Sequence, residues 1–357
     1  MTTKHYELLK KFTLDGEPVS CERYGFGHIN ETYLVVTDAP HRYIFQKLST
    51  RAFKDVPGLM NNIYLVTEYL RERTGDPYGV MTVIKTAEGG IFLRDGEDYW
   101  RLYDFVEGSV ALQAPRNEED FYQSAIAFGD FQSKLAGFPV EKLVETIPNF
   151  HNTVDRYRLF KEALAKDVCG RAKDVQAEID FVLAHEEEMG TLQHMRQSGE
   201  LPTRVTHNDT KLNNVLLRAD TYQPLCVIDL DTVMPGLSLY DFGDSIRFGA
   251  ATAAEDEKDL SKVEMSLDMF RTFTRGFLTA CTTLTDKELE MMPMGAKTMT
   301  MECGVRFLTD YLDGDHYFAV HREGHNLDRC RTQFKLVRDM ESKWEKMHQI
   351  VREESGR

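Results

Sequence analysis

Cysteine is sparse and poorly placed for cross-linking in this chain. The six cysteines, Cys21, Cys169, Cys226, Cys281, Cys303 and Cys330, are scattered and form no C-x-x-C pair. That spacing favours free thiols in a reducing cytosol over a disulfide framework or a zinc site. No apolar run approaches the roughly 20 residues of a membrane span. The N-terminal dozen residues, Met1 to Phe12, lack an apolar core of signal-peptide length. Excess positive charge is absent too, because the formal net charge is −15. Nucleic acid and anionic membranes each call for a basic face, so neither is expected as a partner. There is no internal repeat and no low-complexity segment. What is present is 357 residues, 42% hydrophobic and 28% charged, long enough for two lobes around a sizeable core. A cytoplasmic protein is expected.

The most informative stretch runs from Arg204 to Asp231. Arg204-Val205-Thr206 reads as a strand and leads into the polar loop His207-Asn208-Asp209. Asn214 follows five residues after Asp209, then a second strand at Val215-Leu216-Leu217. After a turn, Leu225-Cys226-Val227-Ile228 reads as a third strand and ends at Asp229-Leu230-Asp231. A carboxylate, a carboxamide and a second carboxylate are thus spaced so that a hairpin can bring them to one sheet edge. Phosphoryl transfer from ATP needs such a group. Its transition state is loose, so catalysis is mostly positioning and charge neutralisation. The layout parallels the H-R-D-x-x-x-x-N and D-F-G segments of protein kinases. Asp209 is then the base, with Asn214 and Asp229 as oxygen ligands for Mg²⁺, a hard cation. Lys211, two residues on, either reaches the γ-phosphate or is an ordinary solvated lysine. Asp231 leaves the strand on the same face as Asp229 and either supports a second metal or braces its neighbour. A literal D-F-G occurs at Asp241-Phe242-Gly243. It lies too far from Asp209 for the hairpin and follows the break at Pro235-Gly236. Asp241 is expected to cap a helix or to buttress the catalytic loop.

Earlier in the chain, Cys21 to Tyr24 and Glu31 to Val36 read as strands joined by Gly25-Phe26-Gly27-His28-Ile29-Asn30. Gly25 and Gly27 let backbone N–H groups approach an anion, or they merely close a hairpin. His28 and Asn30 at its tip either face the acceptor or are satisfied within the turn. The third strand, His41 to Leu48, has Gln46 where protein kinases place a phosphate-binding lysine. Lys47 is next to it on the opposite face. A helix at Val56 to Arg73 offers Glu68 as partner. Strands are expected at Met81–Ile84, Gly90–Leu93 and Tyr99–Tyr103, and a hinge follows at Asp104-Phe105-Val106, where backbone meets adenine. The expectation is a first lobe over residues 1–105, a five-stranded antiparallel sheet plus one helix that binds nucleotide. The helical remainder, residues 106–357, carries the catalytic loop and the acceptor site.

In that second lobe, Asn117 to Ala136, Tyr157 to Ala165 and Gln176 to Met195 read as helices. The acidic run Ala254-Glu255-Asp256-Glu257 is placed where a helix N-terminus wants negative charge. Leu260, Val263, Leu267, Phe270, Phe273 and Phe277 then form one apolar face. A single last helix is expected to carry Phe334, Val337, Met340, Trp344, Met347 and Val351 on one packing stripe, with a monomer or weak dimer as the result. Arg306 interrupts an apolar helix face and needs an acceptor, since an unpaired buried guanidinium is costly. It pairs with Asp310 or Glu302, or it clamps substrate hydroxyls or an amide carbonyl beside Tyr317.

Together these segments describe an α+β, two-lobed protein kinase-like fold with a small antiparallel-sheet N-lobe and a large, mainly helical C-lobe. They resemble the aminoglycoside phosphotransferase and choline kinase superfamily, and more closely the bacterial N-acetylhexosamine 1-kinases. The resemblance rests on Tyr24-Gly25-x-Gly27-His28-Ile29-Asn30, Thr206 to Asn214, Asp229-Leu230-Asp231-Thr232, Asp241 to Ala250 and Met301-Glu302-Cys303-Gly304-x-Arg306-Phe307-Leu308. It implies ATP- and Mg²⁺-dependent phosphorylation of the anomeric hydroxyl of N-acetylglucosamine or N-acetylgalactosamine. It also implies sugar contacts at His28, Asp209, Arg306 and Tyr317. Phe26 and the Gln46-Lys47 pair depart from the family's pattern. The rival readings are a same-fold kinase for choline, homoserine or an aminoglycoside, and a kinase-like binding protein without activity. A cationic acceptor would want a carboxylate or aromatic cage, for which Asp310, Tyr311, Asp313 and Asp315 are available.

Overall fold

The computed structural model describes every residue except Phe26, His28, Pro40 and Arg357. In chain order the first elements are α1 (Thr3–Leu9), β1 (Pro18–Arg23), β2 (Glu31–Thr37), β3 (Arg42–Leu48), α2 (Val56–Arg71), β4 (Leu93–Asp95), β5 (Asp98–Asp104) and β6 (Ser109–Ala111). Next come α3 (Glu118–Leu135), α4 (Thr153–Lys166), α5 (Gln176–Ala184), α6 (Glu186–Met189), α7 (Thr191–Ser198), β7 (Arg204–Thr206), β8 (Val215–Arg218), β9 (Pro224–Val227) and β10 (Met234–Gly236). The chain ends with α8 (Ser238–Gly249), α9 (Leu267–Ala280), α10 (Asp286–Glu290), α11 (Met292–Asp313), α12 (His325–Ser342) and α13 (Trp344–Ser355). Two compact units form. Unit 1 comprises Met1–Ala111, Gly137–Pro148 and Asn214–Pro235, and unit 2 the remainder.

Unit 1 holds a five-stranded antiparallel sheet of order β1-β2-β3-β5-β4. Alternation along β3 decides which side chains matter. Tyr43 and Phe45 face a core with Leu8, Leu9, Phe12, Val35, Trp100 and Leu102, and Phe45 stacks on Trp100 at 4.6 Å. Gln46 points the other way and lies across from Arg101 of β5. Helix α2 starts where Asp55 accepts the Gly58 N–H at 2.9 Å. Its buried Asn62 donates to the carbonyls of Val144 (2.7 Å) and Val233 (2.9 Å), so α2 grips the segment just beyond Asp231. A second small sheet orders β6-β8-β9.

Two expected strands change. Met81–Ile84 makes a single bridge, Val83 to Tyr103, rather than a strand. Pairing expected at Gly90–Leu93 is found instead at Leu93–Asp95. The cause is the turn before it. Gly89 has φ +85°, and the Thr86 N–H bonds back to Gly90 O at 2.8 Å.

Unit 2 is helical, with α4, α8 and α12 packed on α11 and α9 packed on α3. Helix α3 is capped by Asn117, which accepts the Asp120 N–H at 3.0 Å, and buries Phe121, Ala125, Phe128, Phe131 and Leu135. Phe242 of α8 meets Phe270, Phe273 and Phe277 of α9 with centroids 5.7–5.9 Å apart. Three helix expectations need correction. The acidic run at 254–257 caps nothing. Its carboxylates serve ion pairs, Glu255 with Arg247 and Asp256 with Arg322, and α9 begins later, capped by Ser266. Residues 176–195 form three short helices broken at His185 and Gly190. The last stripe is split between α12 and α13 at Lys343, whose ammonium reaches the Met265 carbonyl at 2.9 Å. No helix among the described residues is long and apolar enough to cross a membrane.

Candidate active site

In unit 2 the segment after β7 is pinned from below by one buried carboxylate. Asp241 accepts the backbone N–H of His207 (2.9 Å) and of Asn208 (2.8 Å), and the Gln132 amide donates to it as well. Burial pushes the Asp241 carboxyl up, against the pull of His207 and these donors. His207 is fully buried against the ring edges of Phe128 and Phe131. Asn208 takes φ +66°, a left-handed conformation that Asn tolerates better than most residues. The loop is then fastened again. Thr210 Oγ1 donates to Asp241 O at 2.6 Å, the Thr210 N–H donates to Asp244 at 3.1 Å, and Ser245 Oγ donates to Thr210 O at 2.8 Å.

Asp209 is held between those two anchors, half-buried, with Lys211 Nζ 2.8 Å from its Oδ1. Burial pulls the Lys211 ammonium down, but Asp209 and Asp244 outweigh it and keep it above the ordinary lysine value. Lys211 is therefore an ion-paired cation beside Asp209, with its side chain still 37% exposed.

The literal D-F-G is structural. Asp241 buttresses the loop and Phe242 lies in the core. Gly243 lies where a Cβ would come 2.3 Å from the Gly295 carbonyl.

Arg306 lies on α11, 4.0 Å from Glu302 and 3.4 Å from the Tyr317 hydroxyl. Its guanidinium lies 5.4–5.7 Å from the ring centres of Phe150, Tyr317 and Phe318. A second guanidinium, Arg156, brings its buried Nε to 3.9 Å from the same carboxylate, and that Nε has no hydrogen-bond partner among the described residues. Glu302 also meets His151 Nδ1 at 3.1 Å. Burial raises the Glu302 carboxyl, but His151 and the two arginines hold it below the usual range. Burial lowers Arg306, and Glu302 and Tyr317 more than restore it. Burial and Arg306 together leave Arg156 below its ordinary value. Asp310, the alternative partner for Arg306, is used elsewhere. It accepts the N–H groups of His316, Tyr317 and Phe318 and the Asn326 amide. Asp315 pairs with Arg171 at 2.6 Å, and that arginine also covers the Tyr311 ring.

In unit 1, the Asn214 carbonyl accepts the Ile228 N–H at 2.9 Å, which sets Asn214 next to the end of β9. Asp229 follows in a left-handed conformation, φ +58° and ψ +56°, and opens a 3₁₀ turn at Leu230–Thr232. Asp231 is fully engaged. Both of its oxygens meet the Arg101 guanidinium, and Oδ2 also accepts the Asn30 amide at 2.6 Å. Gln46 accepts from Arg101 Nε at 2.8 Å and donates to Thr32 at 2.9 Å. Lys47 faces away and pairs with Asp98 at 2.9 Å. Glu68 pairs with its own helix neighbour Arg71, not with a third-strand side chain.

In the glycine hairpin, Gly25 has φ +75°, and a Cβ at Gly25 or Gly27 would meet nothing within 4 Å. The requirement there is conformational at Gly25. Asn30 accepts the Ser49 N–H at 3.0 Å. His28 lies outside the described residues. At Phe105-Val106, the Phe105 N–H donates to Arg42 O at 3.1 Å, Arg42 lies 4.0 Å over the Phe105 ring, and Val106 O accepts from Ser109 Oγ at 2.6 Å.

Arg101, Arg156, His151 and Gln132 were not singled out from the sequence. Arg101 did leave a signal: a lone charge inside the apolar strand Tyr99-Trp100-Arg101-Leu102-Tyr103. The others look like surface residues of helices or loops until the fold is known. One further cluster is a structural ion pair. His185, Glu188 and Glu341 converge at metal-ligand distances, but the Lys297 ammonium already meets both glutamates at 2.7–2.9 Å.

A small antiparallel sheet with one long helix, and a helical unit presenting a buttressed His-Asn-Asp loop, define a kinase-like phosphotransferase fold. Residues 20–262 match the APH phosphotransferase enzyme family, and the chain belongs to that family. Solved structures of the same fold include an aminoglycoside phosphotransferase from Alicyclobacillus acidocaldarius, at 14% identity and TM-score 0.67, covering 99% of this chain and 97% of that one. An amicoumacin kinase in complex with AMP-PNP, Ca²⁺ and Ami matches at 13% identity and TM-score 0.63, covering 96% and 94%. A microcompartment-associated aminopropanol kinase matches at 16% identity and TM-score 0.59, covering 97% and 98%.

Proposed function

We propose that this phosphotransferase is an ATP- and Mg²⁺-dependent kinase acting on the anomeric hydroxyl of N-acetylhexosamines, N-acetylglucosamine or N-acetylgalactosamine, to give the sugar 1-phosphate. The observation that carries the choice of acceptor is the cluster in unit 2 of Arg156 and Arg306 around the single carboxylate of Glu302. Two guanidiniums against one carboxylate leave an excess of positive charge, and the Arg156 Nε–H lacks a hydrogen-bond acceptor among the described residues. Like charge disfavours a choline or aminoglycoside cation there. Hydroxyls and an amide carbonyl, which accept from guanidinium, are favoured. Of the carboxylates that might have caged a cation, Asp310 and Asp315 are committed to backbone and to Arg171, and Asp313 alone is too little to make a cage.

In this reading Asp209, oriented by the loop anchors on both sides, accepts the proton of the sugar 1-hydroxyl. Lys211 steadies that carboxylate and offsets phosphate charge. Arg306 and Tyr317 hold the sugar in line, an orientation that can be worth several kcal/mol of barrier. Asn214 and Asp229 supply an amide oxygen and a carboxylate, the donor type a hard divalent cation takes. The Ile228 to Asn214 bond keeps the two stretches adjacent. The cation, when bound, would neutralise charge on the triphosphate. The Gly25–Gly27 backbone serves the phosphates, and the Phe105-Val106 stretch serves adenine. We place the nucleotide-binding lobe at residues 1–105 and the catalytic lobe at 106–357, in a cytoplasmic monomer or weak dimer.

An acceptor panel with ATP consumption as readout, followed by phosphorus NMR of the product, tests the proposal. The expected product is a sugar 1-phosphate. Faster turnover of choline, homoserine or an aminoglycoside, or a 6-phosphate product, would overturn it.

A further inference from the structure

In the protein kinase pattern a lysine on the third strand supplies the buried cation of the sheet. Here that slot is Gln46, which carries no charge, and Lys47 faces the wrong side. Among the described residues, the buried cation on this face of the sheet is Arg101, one strand over on β5 and 1% exposed. We propose that Arg101 is a positioning residue for the loop that carries Asp229, and that Asp231 is its intermediary rather than a metal ligand. The inference rests on the reading of Asp229 as the metal-binding carboxylate.

The contacts are complete on both sides. The two terminal nitrogens of Arg101 donate to the two oxygens of Asp231, the second at 3.1 Å, and its Nε donates to Gln46 at 2.8 Å. Gln46 is itself fixed by Thr32 of β2. A planar fork matched to a carboxylate fixes direction as well as distance, which an ammonium does not. Asp231 is 4% exposed and sits two residues past Asp229, inside the turn that Asp229 opens in a left-handed conformation. Asp tolerates that conformation better than most residues. The turn that follows it is held by Arg101 through Asp231, and Asn62 of α2 secures Val233 on the far side.

The third contact extends the device. Asn30, the last residue of the glycine hairpin, donates to the same Asp231 oxygen at 2.6 Å while accepting the Ser49 N–H. Asp231 thus joins three parts of unit 1: sheet, hairpin and metal loop. Groups that orient a metal ligand typically account for 10–100-fold in metal affinity.

The test uses the full-length protein with Mn²⁺ and AMP-PNP, with bound Mn²⁺ followed by electron paramagnetic resonance and turnover measured against Mg²⁺. Circular dichroism checks folding. Arg101→Lys keeps the charge and loses the fork. It is expected to weaken Mn²⁺ binding and raise the Mg²⁺ requirement by roughly 10–100-fold, with the acceptor KM unchanged. Asn30→Ala, which leaves the buried pair intact, is expected to shift both in the same direction by a smaller factor. Asp229→Asn separates the two claims. If it loses Mn²⁺ while Arg101→Lys and Asn30→Ala bind Mn²⁺ like wild type, the positioning role is wrong and the ligand assignment stands. If Asp229→Asn binds and turns over like wild type, the ligand assignment fails and the positioning role fails with it. Should Arg101→Lys not fold, Asn30→Ala decides: a wild-type Mn²⁺ affinity there overturns the inference.

Discussion

Asp209 is half-buried, and the two residues before it are tied by their backbone to Asp241. Its side chain can thus be changed with little effect on the loop's shape. Asp209→Asn is expected to lower kcat by roughly 10²–10⁴-fold, the usual worth of a positioned general base, while AMP-PNP affinity by calorimetry stays near wild type. Glu302 makes a different prediction. Removing the carboxylate strands two guanidiniums, and breaking a buried pair from one side costs about 3–5 kcal/mol. Glu302→Gln should show that loss in denaturant titrations at neutral pH. Its carboxyl is held below the ordinary value of about 4.5 in the folded protein. The stability it contributes is therefore fully present above that pH and is lost as pH falls through the lower, folded value. The gap between wild type and variant should narrow as pH falls below about 4.5. A gap that still widens below that pH would contradict the assignment.

At the scale of elements, the crossing of α8 and α11 is set by absent side chains. A Cβ at Gly243 would meet the Gly295 carbonyl at 2.3 Å, and one at Gly295 would meet the Leu239 carbonyl at 2.8 Å. Gly243→Ala should cost about 1–3 kcal/mol by forcing the helices apart, read as a lowered denaturation midpoint. Because α8 also carries Asp241 and Asp244, the same variant should lower kcat by displacing the loop at 207–210, with less effect on nucleotide affinity. Wild-type stability in Gly243→Ala would show that the crossing tolerates a methyl group. The helices expected from apolar spacing are present where the spacing is long and regular, as in α3 and α11. One expected helix divides at Lys343, between α12 and α13, where the backbone leaves helical geometry.

For the whole molecule, the charge of −15 predicts no salt-dependent retention on DNA or heparin, since either requires a basic surface. Binding of AMP-PNP with Mg²⁺ at about 100 times its dissociation constant should stabilise the protein by about 2.7 kcal/mol, seen as a rise of several degrees in melting temperature that EDTA removes. An unchanged melting temperature with nucleotide would argue against the kinase reading.

The division between sequence and fold follows from distance along the chain. Asp209, Lys211, Asn214 and Asp229 lie within one stretch, where strand, turn and loop signals are local and spacing alone proposes a catalytic group. The family's hairpin glycines are legible for the same reason, because Gly25 answers to its own φ. The Arg101–Asp231 pair joins residues 130 positions apart, and Arg156 meets Glu302 only because α4 and α11 pack together. Local patterns report backbone preference and the face a side chain takes. Which buried charge meets which is decided by packing, where an unpaired ion is too costly to leave alone.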